Sequence, residues 1–353
     1  MTGALCSPRP SPAPYGKPGF DVLTEPGIGA GVFQDDAELI AQGVRFAEPA
    51  RVWATPLVLR YKCADPAELS RLRPGHAIGA LFHAEGDRAL LSALATSRVT
   101  AYSYEFVEEH GRFPLAAPGG EIAGIQAILH GAQALQTVHG GRGVLLARVS
   151  GAAAPRVVVI GCGNAGSAAA ARTAAALGAH VTVLARSQES ASWYLPNAPR
   201  GVRVAVNTPQ TRRRLLAEAD LVVGAILVST FDTPPMITET DLRQMKPGAV
   251  IVDATCGYGD GYLPTAGPVQ RPGDAPRVTQ GVLHLKLDAL PALVPVTTTQ
   301  SYTTKIAPYL VRLARVALLD ASDPVIDTAR IAHQGRLVHP VCRQHAAFYG
   351  VMA

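Results

Sequence analysis

A chain of 353 residues, 48% hydrophobic and 17% charged, is long enough for two domains with real cores and too apolar to be disordered. Its net charge of +5 rests mostly on scattered arginines, and aromatics make up 6%, so no basic, aromatic-lined face for nucleic acid is expected. Five cysteines, an odd number with no CxxC pair, argue for a reducing, cytoplasmic setting and against a disulfide frame or a zinc site, and no apolar run reaches membrane length without charges or turn signals.

Residues 1 to about 18 are proline-rich and read as irregular, with no secretory apolar region. Strand and helix signals then alternate. Asp21-Val22-Leu23 reads as a strand, Asp35 to Gln42 as a helix, Pro56 to Tyr61 as a buried strand and Asp65 to Leu72 as a short helix. Ala77 to Phe82 follows as a strand, Arg88 to Thr96 as an amphipathic helix and Val99 to Tyr104 as a strand again. Such alternation predicts an α/β fold with parallel sheets. Gly119 to Leu135 reads as a long helix leading into a second domain.

That domain opens with Arg156-Val157-Val158-Val159-Ile160-Gly161-Cys162-Gly163-Asn164-Ala165-Gly166-Ser167. Four apolar residues in a row suit a strand covered on both faces. Gly161, Gly163 and Gly166 supply the GxGxxG spacing: the first for a tight turn, the second for approach of a pyrophosphate to backbone, the third for close packing of helix on strand. An alanine-rich helix (Ser167 to Leu177), a stop at Gly178 and a second strand (His180 to Leu184) give the motif its required context, a Rossmann dinucleotide fold. Nicotinamide dinucleotides with a free ribose 2′-hydroxyl usually meet an acid at the end of that second strand. Here the chain reads Ala185-Arg186-Ser187: the acid is missing, and a planar cation and a hydroxyl stand where a 2′-phosphate would lie. NADP(H) is therefore the expected cofactor, with NAD(H) as the alternative. Arg212-Arg213-Arg214 falls on a surface helix, further buried strands follow at Ala219 to Ala225 and Gly248 to Asp253, and Thr303 to Leu319 reads as a helix returning to the first domain.

Several segments arrive in one order and spacing: Gly119 to Gly124, Gly140 to Leu146, the glycine turn, Ala219 to Val228, Met245 to Asp253, and the stretch from Leu290-Pro291 to Pro308-Tyr309. Together they resemble alanine dehydrogenase and the nucleotide-binding part of nicotinamide nucleotide transhydrogenase, from about residue 19 to the end. The resemblance implies two Rossmann-like domains with an active-site cleft between them: residues 1–118 plus 296–353 for substrate and catalysis, 119–295 for the dinucleotide. It implies hydride transfer to or from the C=N or C=O carbon of a 2-imino or 2-oxo acid, by a specialised amino-acid dehydrogenase or imine reductase. Reductive coupling of an amino acid with a 2-oxo acid, or nucleotide binding without catalysis, are the alternatives. A homo-oligomer acting on a small molecule, with neither metal, nucleic acid nor membrane, is expected.

By position, the resemblance implies that Lys62 holds the substrate and that His83 serves as the proton-transfer group. Arg9 stands where the family's carboxylate-binding arginine is expected, within a proline-rich stretch. Gly257 replaces the family's catalytic aspartate, leaving Asp260 as the nearby acid. Gly161, Gly163, Asn164, Ala165, Gly166, Arg186, Ser187, Ala225, Ile226, Leu227 and Asp288 make up the expected cofactor-binding set. Cys63 and Cys256 flank these segments and read as small buried hydrophobes.

Overall fold

The computed structural model describes residues 5–12, 18–163, 166–226, 235–254, 263–271, 273–287 and 289–352, and for 5–12, 18 and 166 the backbone alone. The chain divides into two units, one of residues 1–116 and 295–353, the other of residues 117–294.

The first unit begins with β1 (Leu5–Pro12), β2 (Pro18–Thr24), β3 (Arg45–Phe46), β4 (Leu57–Lys62), β5 (Ala77–Leu81) and β6 (Thr100–Ser103). β4, β5 and β6 are parallel neighbours, with Leu57 opposite Ala77 and Ala77 opposite Thr100. Every residue of β5 is buried, as a strand covered on both faces requires. Asp65, whose side chain accepts the Glu68 N–H in a reciprocal capping box, starts the short helix Pro66–Leu69. Asp87 likewise caps the helix Arg88–Thr96, which buries Leu90, Leu91 and Leu94.

The proline-rich start is not irregular. β1 is a strand, antiparallel to β2 from Leu5 opposite Leu23 to Pro8 opposite Phe20, with the register shifting before Pro12. Toward β4 it pairs only at Leu5, opposite Val58. Among the described residues the proline-bearing half therefore lacks a partner on that side, which is where a residue without an N–H is tolerated.

The second unit carries β7 (Arg156–Ile160), β8 (His180–Ala185), β9 (Arg203–Val206), β10 (Leu221–Gly224), β11 (Val250–Asp253), β12 (Arg277–Thr279) and β13 (Val282–Lys286) in the order β12-β13-β11-β10-β7-β8-β9. All neighbours are parallel except β12 on β13. The order reverses at β7, between β8 and β10, the switch point where open α/β sheets take their ligands. The helix Ala117–Ala134 covers one face with Ala127, Ile128 and Ala134, packed with Val157, Val159, Leu221 and Val223. The other face buries Val158, Ile160, Val222 and Ile251 with Leu216 and Leu242.

The chain then returns to the first unit through a 25-residue helix, Pro295–Leu319, longer at its start than the sequence suggests. Pro308 lies inside it. β14 (Arg330–His333) and β15 (Arg336–Leu337) form a hairpin that adds β14 antiparallel to β6. The first unit's sheet thus has eight strands, β15-β14-β6-β5-β4-β1-β2-β3, and is mixed around a parallel centre. The helix Pro340–Phe348 closes that unit, burying Cys342 and Ala346 with Leu90, Leu91 and Ile331. Among the described residues no helix is long and apolar enough to cross a membrane.

Candidate active site

In the second unit the glycine turn leaves β7 at its carboxyl end. The Gly161 N–H donates to Leu184 O at 2.9 Å, extending the ladder with β8. Gly161 adopts φ 113°, and a Cβ there would meet Ala225 O at 2.5 Å and Ile226 Cγ2 at 2.7 Å. Only glycine turns the chain in that space. Ser167 Oγ, one residue into the helix Gly166–Ala176, donates to Ala225 O at 2.9 Å and ties the turn to the segment after β10. Gly163 is different. It is exposed, and among the described residues a Cβ there would find only Ser167 Oγ, at 3.9 Å. Its Cα therefore faces open space beside a helix N-terminus, the cradle a pyrophosphate needs. The residues present fit a dinucleotide. Asn164, Ala165, Leu227, Asp288 and Asp260 lie outside the described residues.

β8 ends at the buried Ala185, whose carbonyl accepts the Asn207 N–H at 2.8 Å. Arg186 follows, exposed and making no ion pair among the described residues. Ser187 caps the helix Gln188–Tyr194, its hydroxyl accepting the Ser190 N–H at 3.1 Å. Cys162 sits inside the glycine turn, half-buried; burial raises its thiol pKa, opposed by the Arg186 backbone and charge. Asp253 and Lys286 end β11 and β13 opposite each other, both buried, a charged pair at the ligand edge that hydrophobic-run reasoning passes over.

In the first unit, β4, β5 and β6 end side by side. Lys62, half-buried, is the last residue of β4 and pairs with Leu81 of β5. His83 lies two residues beyond Leu81, in the left-handed region at φ 49°. Ala80 pairs with Ser103 of β6, and Glu105 follows two residues later. The buried Glu105 carboxylate grips the turn. Oε1 accepts the His83 N–H at 2.6 Å, and Oε2 accepts the Phe82 N–H at 3.2 Å. His83 Nδ1 lies 3.5 Å from Oε1, and the imidazole remains about a third exposed. A cation, an imidazole and a carboxylate thus share one sheet edge. Glu105 escapes sequence reading because its role depends on contact across 22 residues; the available signal is a lone acid just past a strand end.

Arg9 is not brought to this edge. From Leu5 opposite Val58, β1 heads toward the amino end of β4, away from Lys62. Cys63, next to Lys62, is a poor nucleophile near neutral pH: its Sγ donates to Ala64 O at 2.7 Å, and burial, reinforced by Glu105, pushes the thiol up to about 12. Arg60, two residues before Lys62, is held by Glu68 at 2.7 Å and lies over the Trp53 ring. It belongs to the wall and leaves Lys62 as the cation at the strand end.

Residues 13–123 match the model of the alanine dehydrogenase/PNT N-terminal domain, and residues 127–340 that of the C-terminal domain. The chain belongs to the alanine dehydrogenase/PNT family. It is 33% identical to alanine dehydrogenase of Bacillus subtilis (strain 168) over 304 residues, covering 86% of this chain and 80% of that one. It is 33% identical to alanine dehydrogenase of Halomonas elongata over 328 residues, covering 91% and 87%. A solved L-alanine dehydrogenase superposes with a TM-score of 0.81 at 29% identity, covering 93% of this chain and 91% of the other. A transhydrogenase from Sinorhizobium meliloti shares the fold, with a TM-score of 0.71 at 21% identity. Membership in the alanine dehydrogenase/PNT family makes this protein an oxidoreductase that uses a nicotinamide nucleotide and acts on CH–NH2 or C=N groups.

Proposed function

We propose that the protein is an NADPH-preferring amino-acid dehydrogenase or imine reductase, moving hydride to or from the C=N or C=O carbon of a 2-imino or 2-oxo acid. The observation that carries this reading is the grouping of Lys62, His83 and Glu105 at the carboxyl ends of three adjacent parallel strands. In this reading the first unit supplies the substrate chemistry and the second holds the dinucleotide. The cofactor, when bound, gives or takes the hydride; Gly161, Gly163, Gly166 and Ser167 would hold its pyrophosphate, with Ala225 and Ile226 walling the turn.

The Lys62 ammonium binds the substrate carboxylate or polarises the carbonyl, as a compact charge on a flexible stem can. His83 exchanges a proton with the oxygen or nitrogen on the reacting carbon, a role suited to imidazole near neutral pH. Glu105 acts through His83: by accepting two consecutive backbone N–H groups it fixes a left-handed turn, and with it the ring. Preference for NADPH follows from Ala185, which presents no acid to a 2′-phosphate, and from Arg186, whose guanidinium suits one.

The test is a panel of 2-oxo acids, each offered ammonia, small amines or amino acids, with oxidation of NADPH and NADH followed by absorbance. Turnover of at least one pair, faster with NADPH, is the expected result. Turnover with amino acids alone as amine donor moves the assignment to reductive coupling of two acids. Equal rates and affinities for both cofactors overturn the NADPH preference, and no turnover across the panel overturns the substrate class.

A further inference from the structure

A second concave site lies at the other edge of the dinucleotide sheet. Arg156, His180 and Arg203 are the first residues of β7, β8 and β9, three adjacent parallel strands. Arg156 pairs with His180, and Arg203 with Thr182. Side chains alternate along a strand, so these residues share a face with Val158, Leu184 and Ala205, which pack in the core on the side of the helix Pro209–Glu218. That helix adds Arg214, Leu215 and Glu218 to the wall of a cavity of about 270 Å³. The basic groups thus stand around a half-apolar floor.

The charges do not balance. Glu218 is engaged by Arg156 at 2.7 Å. Arg203 and Arg214 make no ion pair among the described residues, and both are exposed. Three guanidinium groups and an imidazole against one carboxylate, gathered in a concavity, focus a positive field at a place the glycine turn does not use. Arginines contributed by strands and by the helix suit an oxyanion that takes two donors from each. The apolar floor and the Thr182 side chain suit a short carbon body between two charged ends.

We propose that this cavity is a second binding site, for a small molecule with two or more negative charges, a dicarboxylate or a phosphorylated compound, separate from the dinucleotide site. The source of the ligand is decided by the two probes of the test, inorganic pyrophosphate and succinate.

Each probe is titrated by calorimetry into the full-length protein and into Gly163→Val, which removes phosphate binding at the glycine turn. Saturable binding of at least one probe that survives Gly163→Val is expected. Arg203→Gln with Arg214→Gln should weaken it tenfold or more. Arg243→Ala, which removes an exposed arginine that pairs with Glu239 outside the cavity, should leave it unchanged. All variants are checked for wild-type thermal unfolding; should the double variant unfold early, Arg203→Lys alone, which keeps the charge and loses the fork, is expected to weaken binding measurably. Binding lost in Gly163→Val, equal loss in Arg243→Ala, or no saturable binding of either probe overturns the proposal. None of these outcomes depends on the substrate reading, since no turnover is measured.

Discussion

At the carboxyl end of β7 the chain offers a ligand backbone: an exposed glycine with open space above it, a helix start and a serine that ties the turn to the next strand. At the carboxyl ends of β4, β5 and β6 it offers side chains: a lysine, a histidine and a carboxylate that fixes the histidine's backbone. Both are edges of parallel strands, yet in the proposed reading they solve different problems. A pyrophosphate has the same shape in every dinucleotide, so a rigid backbone cradle suffices. A reacting carbon needs charges and protons at chosen points, which only side chains supply.

The largest test of this contrast is His83→Ala. Removing a positioned proton-transfer group should slow turnover by about 10²–10⁴-fold. Affinity for NADPH, read by fluorescence titration, should stay within about twofold, because the glycine turn belongs to the other unit. Glu105→Gln should lower kcat by roughly ten- to a hundredfold, since a misplaced ring loses alignment, with cofactor affinity again unchanged. Near-normal kcat in either variant removes that residue from the chemistry.

The reverse experiment uses the glycines. Gly163→Val should fold normally, because nothing among the described residues crowds a side chain there, and should weaken NADPH binding by about a hundredfold through occupation of the pyrophosphate position. Gly161→Val should instead damage the turn itself, since Ala225 O stands 2.5 Å from its Cβ position and φ is 113°. A cost of about 1–3 kcal/mol from the strained backbone should appear as lowered thermal stability. If both variants behave alike, the two glycines do not have the separate roles assigned to them.

The same contrast explains what the sequence made legible. A backbone cradle is local: Arg156 to Ser167 carries the strand, the turn and the helix start in twelve residues, and the strand and the helix start are found in the fold. The roles proposed for Lys62 and His83 rest on family resemblance, because nothing local distinguishes a lysine or histidine at a strand end. Glu105 was invisible because its meaning lies in Phe82 and His83, brought near by β5–β6 pairing. The strand Leu5–Pro12 was missed for a related reason: three prolines argue against a strand until one sees that half of it is unpaired toward β4. The closing hairpin β14–β15 gave no strong period, being only four and two residues long.

Cofactor choice tests the backbone edge more finely. Arg186→Ala should reduce NADPH affinity by about tenfold, equivalent to roughly 1.4 kcal/mol, and leave NADH affinity unchanged. Ala185→Asp with Arg186→Ile should carry the preference to NADH, as an acid there accepts from the ribose hydroxyl and repels the 2′-phosphate. An unchanged ratio of dissociation constants in Arg186→Ala would mean that this side chain does not meet the phosphate.

The smallest effect compares one thiol at each edge. Cys63 adjoins Lys62, and Cys162 lies between Gly161 and Gly163. Burial and Glu105 push the Cys63 thiol up to about 12, so at pH 9 only about one molecule in a thousand carries the reactive thiolate. Burial raises Cys162 too, but the Arg186 backbone and charge oppose it. Iodoacetamide at pH 9, read site by site by mass spectrometry, should therefore label Cys162 faster than Cys63 in the native protein. NADPH should slow labelling of Cys162 alone, because a dinucleotide covers the glycine turn. Raising the pH toward 10 should speed Cys63 about tenfold per unit, since its titration still lies above. Faster labelling of Cys63, or protection of both thiols alike, would show that the two edges do not present the separate surfaces described, one a backbone cradle and the other a cluster of charged side chains.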